Sequence, residues 1–286
     1  MANIIKKIKE KARFCVQILV TAITNGYYYG FATGTIYRGP LKTVCVPGLN
    51  CYSCPGALGS CPMGSLQANL GSRDNKVPFY VAGILIFFGS VFGRFICGWL
   101  CPFGLFQDLL YKIPFKGKRK NLPGHKTLVK LKYVILIIFV ITLPLAVTDI
   151  IGQGSPWFCK YICPSGTLMA GIPLTTLDET LRNAAGNLFI WKMALLIITV
   201  MTAIIVYRPF CKYICPLGAI YSVFNPIALY RYQVNTDTCT KCGKCQRVCK
   251  MEIKVWEQPN HPECIRCGDC IKKCPEQAIV RAKNKI

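Results

Sequence analysis

The sequence predicts a mainly α membrane protein, with four transmembrane helices followed by a small C-terminal α+β domain. Three observations carry this. Four apolar runs are long enough to cross a hydrocarbon core of about 30 Å, which takes roughly 20 helical residues. Basic residues flank these runs instead of interrupting them. Residues 233–286 are more polar and carry closely spaced cysteines. The composition agrees: 52% of the 286 residues are hydrophobic, mean hydropathy is +0.37, and the excess lies in the runs.

The runs are Phe14–Ile36, Val77–Trp99, Tyr133–Ile151 and Leu188–Tyr207. The first is rich in Gly, Thr and Tyr and follows a basic lead of Lys6, Lys7, Lys9, Lys11 and Arg13. That lead suits a signal peptide. However, the apolar stretch is long and no small-x-small cleavage site follows, so it reads as a retained helix. Tyr27, Tyr28, Tyr29, Trp99, Trp157 and Trp191 fall near run ends, where aromatic rings favour the interface. Residues 1–13 form a basic cytoplasmic lead, 14–232 the four-helix domain with its cysteine-bearing loops, and 233–286 the tail domain.

Orientation follows the cations. The segment after the second run holds Lys112, Lys116, Lys118, Arg119, Lys120, Lys126, Lys130 and Lys132 against Asp108. The lead and the tail are also basic. The loop after the third run is nearly neutral, with Lys160 and Arg182 against Asp178 and Glu179. Both termini and the second loop are therefore expected inside, and the first and third loops outside. Lys192, alone near a span end, can snorkel and needs no function.

The 19 cysteines are odd in number, so full disulfide pairing is impossible, and their grouping points to metal ligation by thiolate. The formal charge of +23 would be offset in part by anionic clusters, the rest facing anionic membrane lipid. The cations form no single patch on a known module, which excludes nucleic acid. His125 and His261 lie outside the apolar runs, which excludes a bis-histidine haem in the bilayer.

In the tail, Cys239, Cys242, Cys245 and Cys249 follow C-x2-C-x2-C-x3-C, and Cys264, Cys267, Cys270 and Cys274 repeat it before Pro275. In such runs the first three sulfurs wrap one cubane and the fourth reaches the other. Cys239, Cys242, Cys245 and Cys274 are expected to hold one 4Fe–4S cluster, and Cys264, Cys267, Cys270 and Cys249 a second. This is the pattern of a bacterial-type two-cluster ferredoxin-like domain. Lys250 stands where proline usually follows the first run, which removes no ligand. Zinc sites use four ligands in pairs, not eight in two such runs.

A second motif, C-x3-C-P-x-G, occurs at Cys97–Gly104, Cys159–Gly166 and Cys211–Gly218. Cysteines four apart share a helical face, and proline then starts a new turn. Cys97, Cys101, Cys211 and Cys215 fall on the inner side, enough thiolates for a third iron–sulfur cluster. Arg94 and Arg208 each precede an inner motif by three residues. Either they stabilise cluster and thiolate charge as cofactor-binding residues, or they snorkel to headgroups. On the outer side lie Cys45, Cys51, Cys54 and Cys61 in the first loop and Cys159 and Cys163 in the third. Cys51, Cys54 and Cys61 with a third-loop partner, or with Cys45, suit a fourth cluster. Disulfides on an oxidising face suit them equally. Cys15 reads as a small apolar residue with no role.

On Cys97–Pro102, Cys211–Pro216 and the eight tail cysteines, the chain resembles the membrane-bound 4Fe–4S polyferredoxins of the NapH, MauN and NosR type. These belong to bacterial respiratory and maturation systems, and the resemblance covers about residues 77–286. It implies a prokaryotic cytoplasmic, multi-pass membrane protein transferring electrons with quinol or a partner subunit. The first-loop cysteines and the motif at Cys159 depart from the simplest pattern, which puts a plain quinol dehydrogenase role in doubt.

The expected function is electron transfer between a cytoplasmic carrier, the iron–sulfur clusters, and a quinone or an outer-face flavin or redox subunit. From Cys239 onward the tail has eleven Lys/Arg and five Asp/Glu, which favours an acidic carrier such as a ferredoxin or flavodoxin. Direct passage across the core needs re-entrant loops, a mobile quinone or a partner's cofactor. The competing readings are an accessory protein that reduces a partner's metal or disulfide, and clusters as structural staples or a sensor. No residue pattern argues for acid–base catalysis.

Overall fold

A computed structural model of the chain describes residues 2–72, 78–150 and 152–282, and side chains from residue 12 onward. The side chains of Lys6, Lys7, Lys9 and Lys11 lie outside the described part, as do Val77 and Ile151 at the edges of two expected spans.

The fold is mostly helical. Four long helices organise it: α1 (Ala2–Thr24), α2 (Phe79–Phe92), α3 (His125–Ala146) and α4 (Asn187–Ile205). By length and apolar character α3 and α4 can each cross a membrane, with mean hydropathy 2.3. Ala12–Thr24 of α1 and all of α2 are shorter apolar helices. Only 22% of α3's most apolar stretch and 11% of α4's is buried in the protein. Ile137, Ile138 and Ile141 on α3 and Ile190, Ile197, Ile198 and Met201 on α4 are exposed. A core helix of a water-soluble protein would bury such side chains, so these faces suit lipid.

Two expected spans end early, for local reasons. Helix α1 stops at Thr24 and does not run to Ile36. Asn25 turns its amide onto the Thr21 carbonyl, and the first loop takes the helix end, Leu58 N–H bonding Thr24 O at 3.0 Å. Helix α2 stops at Phe92, where Gly93 adopts φ +53°. A short helix, Phe95–Trp99, continues from there. Helix α3 begins earlier than expected, at His125, and carries Lys126, Lys130 and Lys132 on its first turns. It passes through a π-helical stretch, Leu136–Thr142, just before Pro144. Proline lacks a donor and crowds the preceding turn, and the wider winding absorbs it.

Four of the six C-P dipeptides start a new helix. Cys61, Cys101, Cys163 and Cys215 are extended N-cap residues, with proline at the first helical position of Pro62–Leu70, Pro102–Lys112, Pro164–Gly166 and Pro216–Phe224. One apolar core, including Leu85, Ile96, Phe103, Phe158, Phe210 and Leu217, joins these helices to α2 and α3.

The tail has its own core of Tyr232, Met251, Ile253, Val255, Ile265 and Ile279. Strands β1 (Tyr232–Val234) and β2 (Ile279–Arg281) pair antiparallel, Gln233 opposite Val280. Short helices Lys244–Val248 and Asp269–Lys273 each carry the third cysteine of a run, Cys245 and Cys270. The tail is fastened to the helical domain. Trp99 donates to the Arg266 carbonyl at 3.0 Å, and Asn225 donates to Cys264 O at 3.0 Å and His261 O at 2.7 Å.

Candidate iron–sulfur centres

The tail cysteines surround two hollows. Cys239, Cys242, Cys245 and Cys274 line one, and Cys249, Cys264, Cys267 and Cys270 line another. The structure thus brings together the two crossed sets that the spacing groups. Among the described residues, no three His, Cys, Asp or Glu side chains converge as a single metal ion requires. Four sulfurs around one hollow are the donor set of a 4Fe–4S cubane. None of the 19 cysteines is in a disulfide.

Cys97, Cys101, Cys211 and Cys215 are each 4–6% exposed. Two buried arginines brace them crosswise. Arg94, on the first motif, donates to the Cys211 carbonyl of the second at 3.0 Å. Arg208, on the second, donates to the Cys97 carbonyl of the first. The glycine of C-P-x-G makes room for each. A Cβ on Gly104 would stand 2.9 Å from Cys97 O and 3.2 Å from Arg208, and one on Gly218 3.2 Å from Cys211 O and 3.4 Å from Arg94.

Neither arginine reaches toward headgroups, since both are fully buried. Arg208 pairs with Asp108, Nε to Oδ1 at 2.7 Å, and Arg13 adds a bond to Asp108 at 2.9 Å. Burial alone would raise the Asp108 pKa, but the two guanidinium groups outweigh it and hold it near about 2. Arg94 pairs with Glu263 of the tail, and so does Lys132. Those two cations outweigh burial and keep Glu263 below its ordinary range. Lys132, expected in a solvated inner loop, is instead fully buried because Glu263 draws it in.

Gln107 is a site residue that the motif reading missed. Its Nε2 donates to Cys211 Sγ at 3.0 Å and to Phe103 O at 3.3 Å. The signal was present as C-P-x-G-x-x-Q, six residues beyond Cys101.

The outer cysteines divide. Cys51, Cys61, Cys159 and Cys163 line one cavity of about 1590 Å³ including its open mouth. Cys45 lies apart, its Sγ 3.6 Å from Ser65 Oγ. Cys54 is buried with its Sγ 3.7 Å from Asn25 Oδ1. Cys15 is exposed on α1.

Cysteine sets grouped around shared hollows define a class, the cysteine-ligated iron–sulfur proteins of electron transfer. The family described as 4Fe-4S binding domain matches residues 77–121, 131–172 and 188–228, and each stretch contains one C-x3-C-P motif. An uncharacterized protein of Methanocaldococcus jannaschii is 31% identical over 203 residues, 68% of this chain and 75% of that one. The methylamine utilization ferredoxin-type protein MauN of Methylobacillus flagellatus is 29% identical over 174 residues, 59% of this chain and 51% of its own length. The ferredoxin-type protein NapH of Haemophilus influenzae is 26% identical over 191 residues, 63% and 55% respectively. No solved structure matches. The chain belongs to the membrane polyferredoxin family, and is an iron–sulfur electron-transfer protein.

Proposed function

We propose that this chain is a multi-pass protein of the cytoplasmic membrane, both termini cytoplasmic, in which α1 and α2 join α3 and α4 as spans. It transfers electrons between a soluble cytoplasmic carrier and either a quinone or a redox partner on the outer face. The tail is a two-cluster ferredoxin-like domain, its ligands the two sets named above. Cys97, Cys101, Cys211 and Cys215 hold a third cluster. Clusters bound there would supply reversible one-electron oxidation and reduction.

One observation carries the reading: the second tail set is docked on the inner membrane-edge set. Gly98, beside Cys97, lies against the Ile265 carbonyl beside Cys264. Arg94 lies within the electrostatic reach of Cys97, Cys211 and Cys264 alike. Arg94 and Arg208 hold the motif carbonyls and so fix the sulfurs, while Ile96, Phe103, Phe210 and Leu217 exclude water. By contrast Cys242 is exposed, which makes the first tail set the accessible end. Its surroundings include Lys241 and Lys244, suited to an acidic carrier.

Anaerobically purified protein is expected to show cluster signals that reduce reversibly in steps and reoxidise with a quinone analogue or an outer-face acceptor. Cys97→Ala should remove about four iron atoms per chain, keep the tail signals, and slow that reoxidation by at least tenfold. Wild-type preparations with no more than about eight iron atoms per chain would sink the reading.

A further inference from the structure

The frame around Cys97, Cys101, Cys211 and Cys215 occurs a second time in this molecule, and we infer that the second copy, Cys51, Cys61, Cys159 and Cys163, holds a fourth iron–sulfur cluster. The inference rests on the inner set being a cluster site, and extends it to cysteines whose spacing left disulfides equally open.

The correspondence is atom by atom. Cys101-Pro102-Phe103-Gly104 opens the helix Pro102–Lys112, and Cys61-Pro62-Met63-Gly64 opens the helix Pro62–Leu70. Six residues past each capping cysteine stands a glutamine, fully buried in both cases. Gln107 Nε2 bonds the Phe103 carbonyl and Cys211 Sγ. Gln67 Nε2 bonds the Met63 carbonyl at 3.0 Å and Cys159 Sγ at 3.2 Å. Each sulfur so touched is the first cysteine of a C-x3-C-P motif on the facing segment. A cation again holds that motif's carbonyl: Lys192 Nζ donates to Cys159 O at 3.2 Å, as Arg94 does to Cys211 O. Lys192 therefore has a task beyond snorkelling. Gly64 and Gly166 again face the set, with Cys159 Sγ 4.0 Å and Cys51 Sγ 3.7 Å from their Cβ positions.

The fourth ligand is where the two cysteine sets differ. Four residues before Cys61 stands Ala57, so the first loop must supply a sulfur from elsewhere. Cys51 does so. It lines the same cavity as Cys61, Cys159 and Cys163, whereas Cys45 and Cys54 are outside that lining. Family-model coverage of 131–172 includes this third C-x3-C-P motif.

The loop that carries Cys51 also touches the inner set. Leu49 donates its backbone N–H to Cys101 Sγ at 3.4 Å and itself lines the outer cavity. Tyr221, on the helix Pro216–Phe224 that Cys215 opens, donates to the Pro47 carbonyl of the same loop at 2.9 Å. Residues 47–51 of the first loop thus run from the inner set to the outer cavity. The mouth of the outer cavity leaves this fourth site open, unlike the closed inner one.

Iron and sulfide counts on anaerobic full-length protein test this. About sixteen iron atoms per chain are expected. Cys51→Ala and Cys163→Ala should each lose about four and keep the tail signals, while Cys54→Ala and Cys45→Ala should match wild type. Gln67→Leu should shift the potential of one signal and leave the tail signals unmoved. A wild-type count of about twelve would overturn the fourth site and leave the proposed function standing. Cys54→Ala losing as much iron as Cys51→Ala would overturn the ligand set.

Discussion

Arg94 and Arg208 show at the residue scale how far a spacing argument reaches. Their placement three residues before a cysteine marks them as cations near the thiolates. It does not reveal that each reaches across to the other motif, because that depends on how two distant helices meet. Nor does the sequence tell which carboxylates neutralise them, since Asp108 and Glu263 are far apart in the chain. A buried guanidinium left without its partner is strongly destabilising, by about 3–5 kcal/mol. Asp108→Asn is therefore expected to lower the unfolding free energy in detergent by that order, seen as a lower thermal midpoint, with Arg208 stranded at 0% exposure. The pH dependence has a definite sign. The folded-state pKa of Asp108 is depressed to about 2 from 3.8. Its stabilisation is thus complete above the usual carboxylate range and is lost only as pH falls toward about 2. The Asp108→Asn deficit should be constant between pH 5 and 8 and shrink in acid. A deficit that grew on acidification would refute the pairing.

At the scale of elements, the cysteine motifs were legible because ligand spacing is a local property, and the helix ends were not because they are set by distant backbone. Leu229 and Tyr230 donate to the carbonyls of Ser90 and Val91 at 2.8 and 2.9 Å, closing the end of α2. Leu58 does the same for α1. Hydropathy cannot foresee either, so the first two apolar runs look longer than the helices they form. The join between Phe95–Trp99 and the tail is similarly tight. A Cβ on Gly98 would stand 2.2 Å from the Ile265 carbonyl oxygen, a backbone atom with no freedom to swing away. Gly98→Ala should weaken tail docking by about 1–3 kcal/mol, as overpacking does, and raise hydrogen exchange in residues 261–267. Gly83→Ala, where a Cβ meets nothing within 4 Å, is the control. Equal exchange in the two variants would show that this contact does not hold the tail.

For the whole molecule, the two domains depend on metal to different degrees. Helices α3 and α4 make their backbone hydrogen bonds internally and present apolar faces suited to lipid, so their folding needs no ligand. The tail differs. Its sheet is one pair of three-residue strands, its helices have five residues each, and neither is stable alone. Its apolar core is small and shares its members with the ligands, Cys245 and Cys270 among them. With the clusters proposed above in place, cross-linking of distant segments by metal would supply most of the tail's folding free energy, as in other small cysteine-ligated domains. Removing iron with chelator and oxidant under anaerobic workup should melt residues 232–281, seen as loss of exchange protection there. The protection of α3 and α4 should persist, because the ion pairs of Arg208 with Asp108 lie within the helical domain. Glu263 would leave with the tail, exposing Arg94 and Lys132 to solvent and loosening the inner cysteine set. Protection should therefore fall in Phe95–Trp99 and Pro209–Tyr213 before it falls anywhere in α4. A tail that kept full protection without iron would mean that its own packing, and not the sulfur–metal bonds, sets its fold.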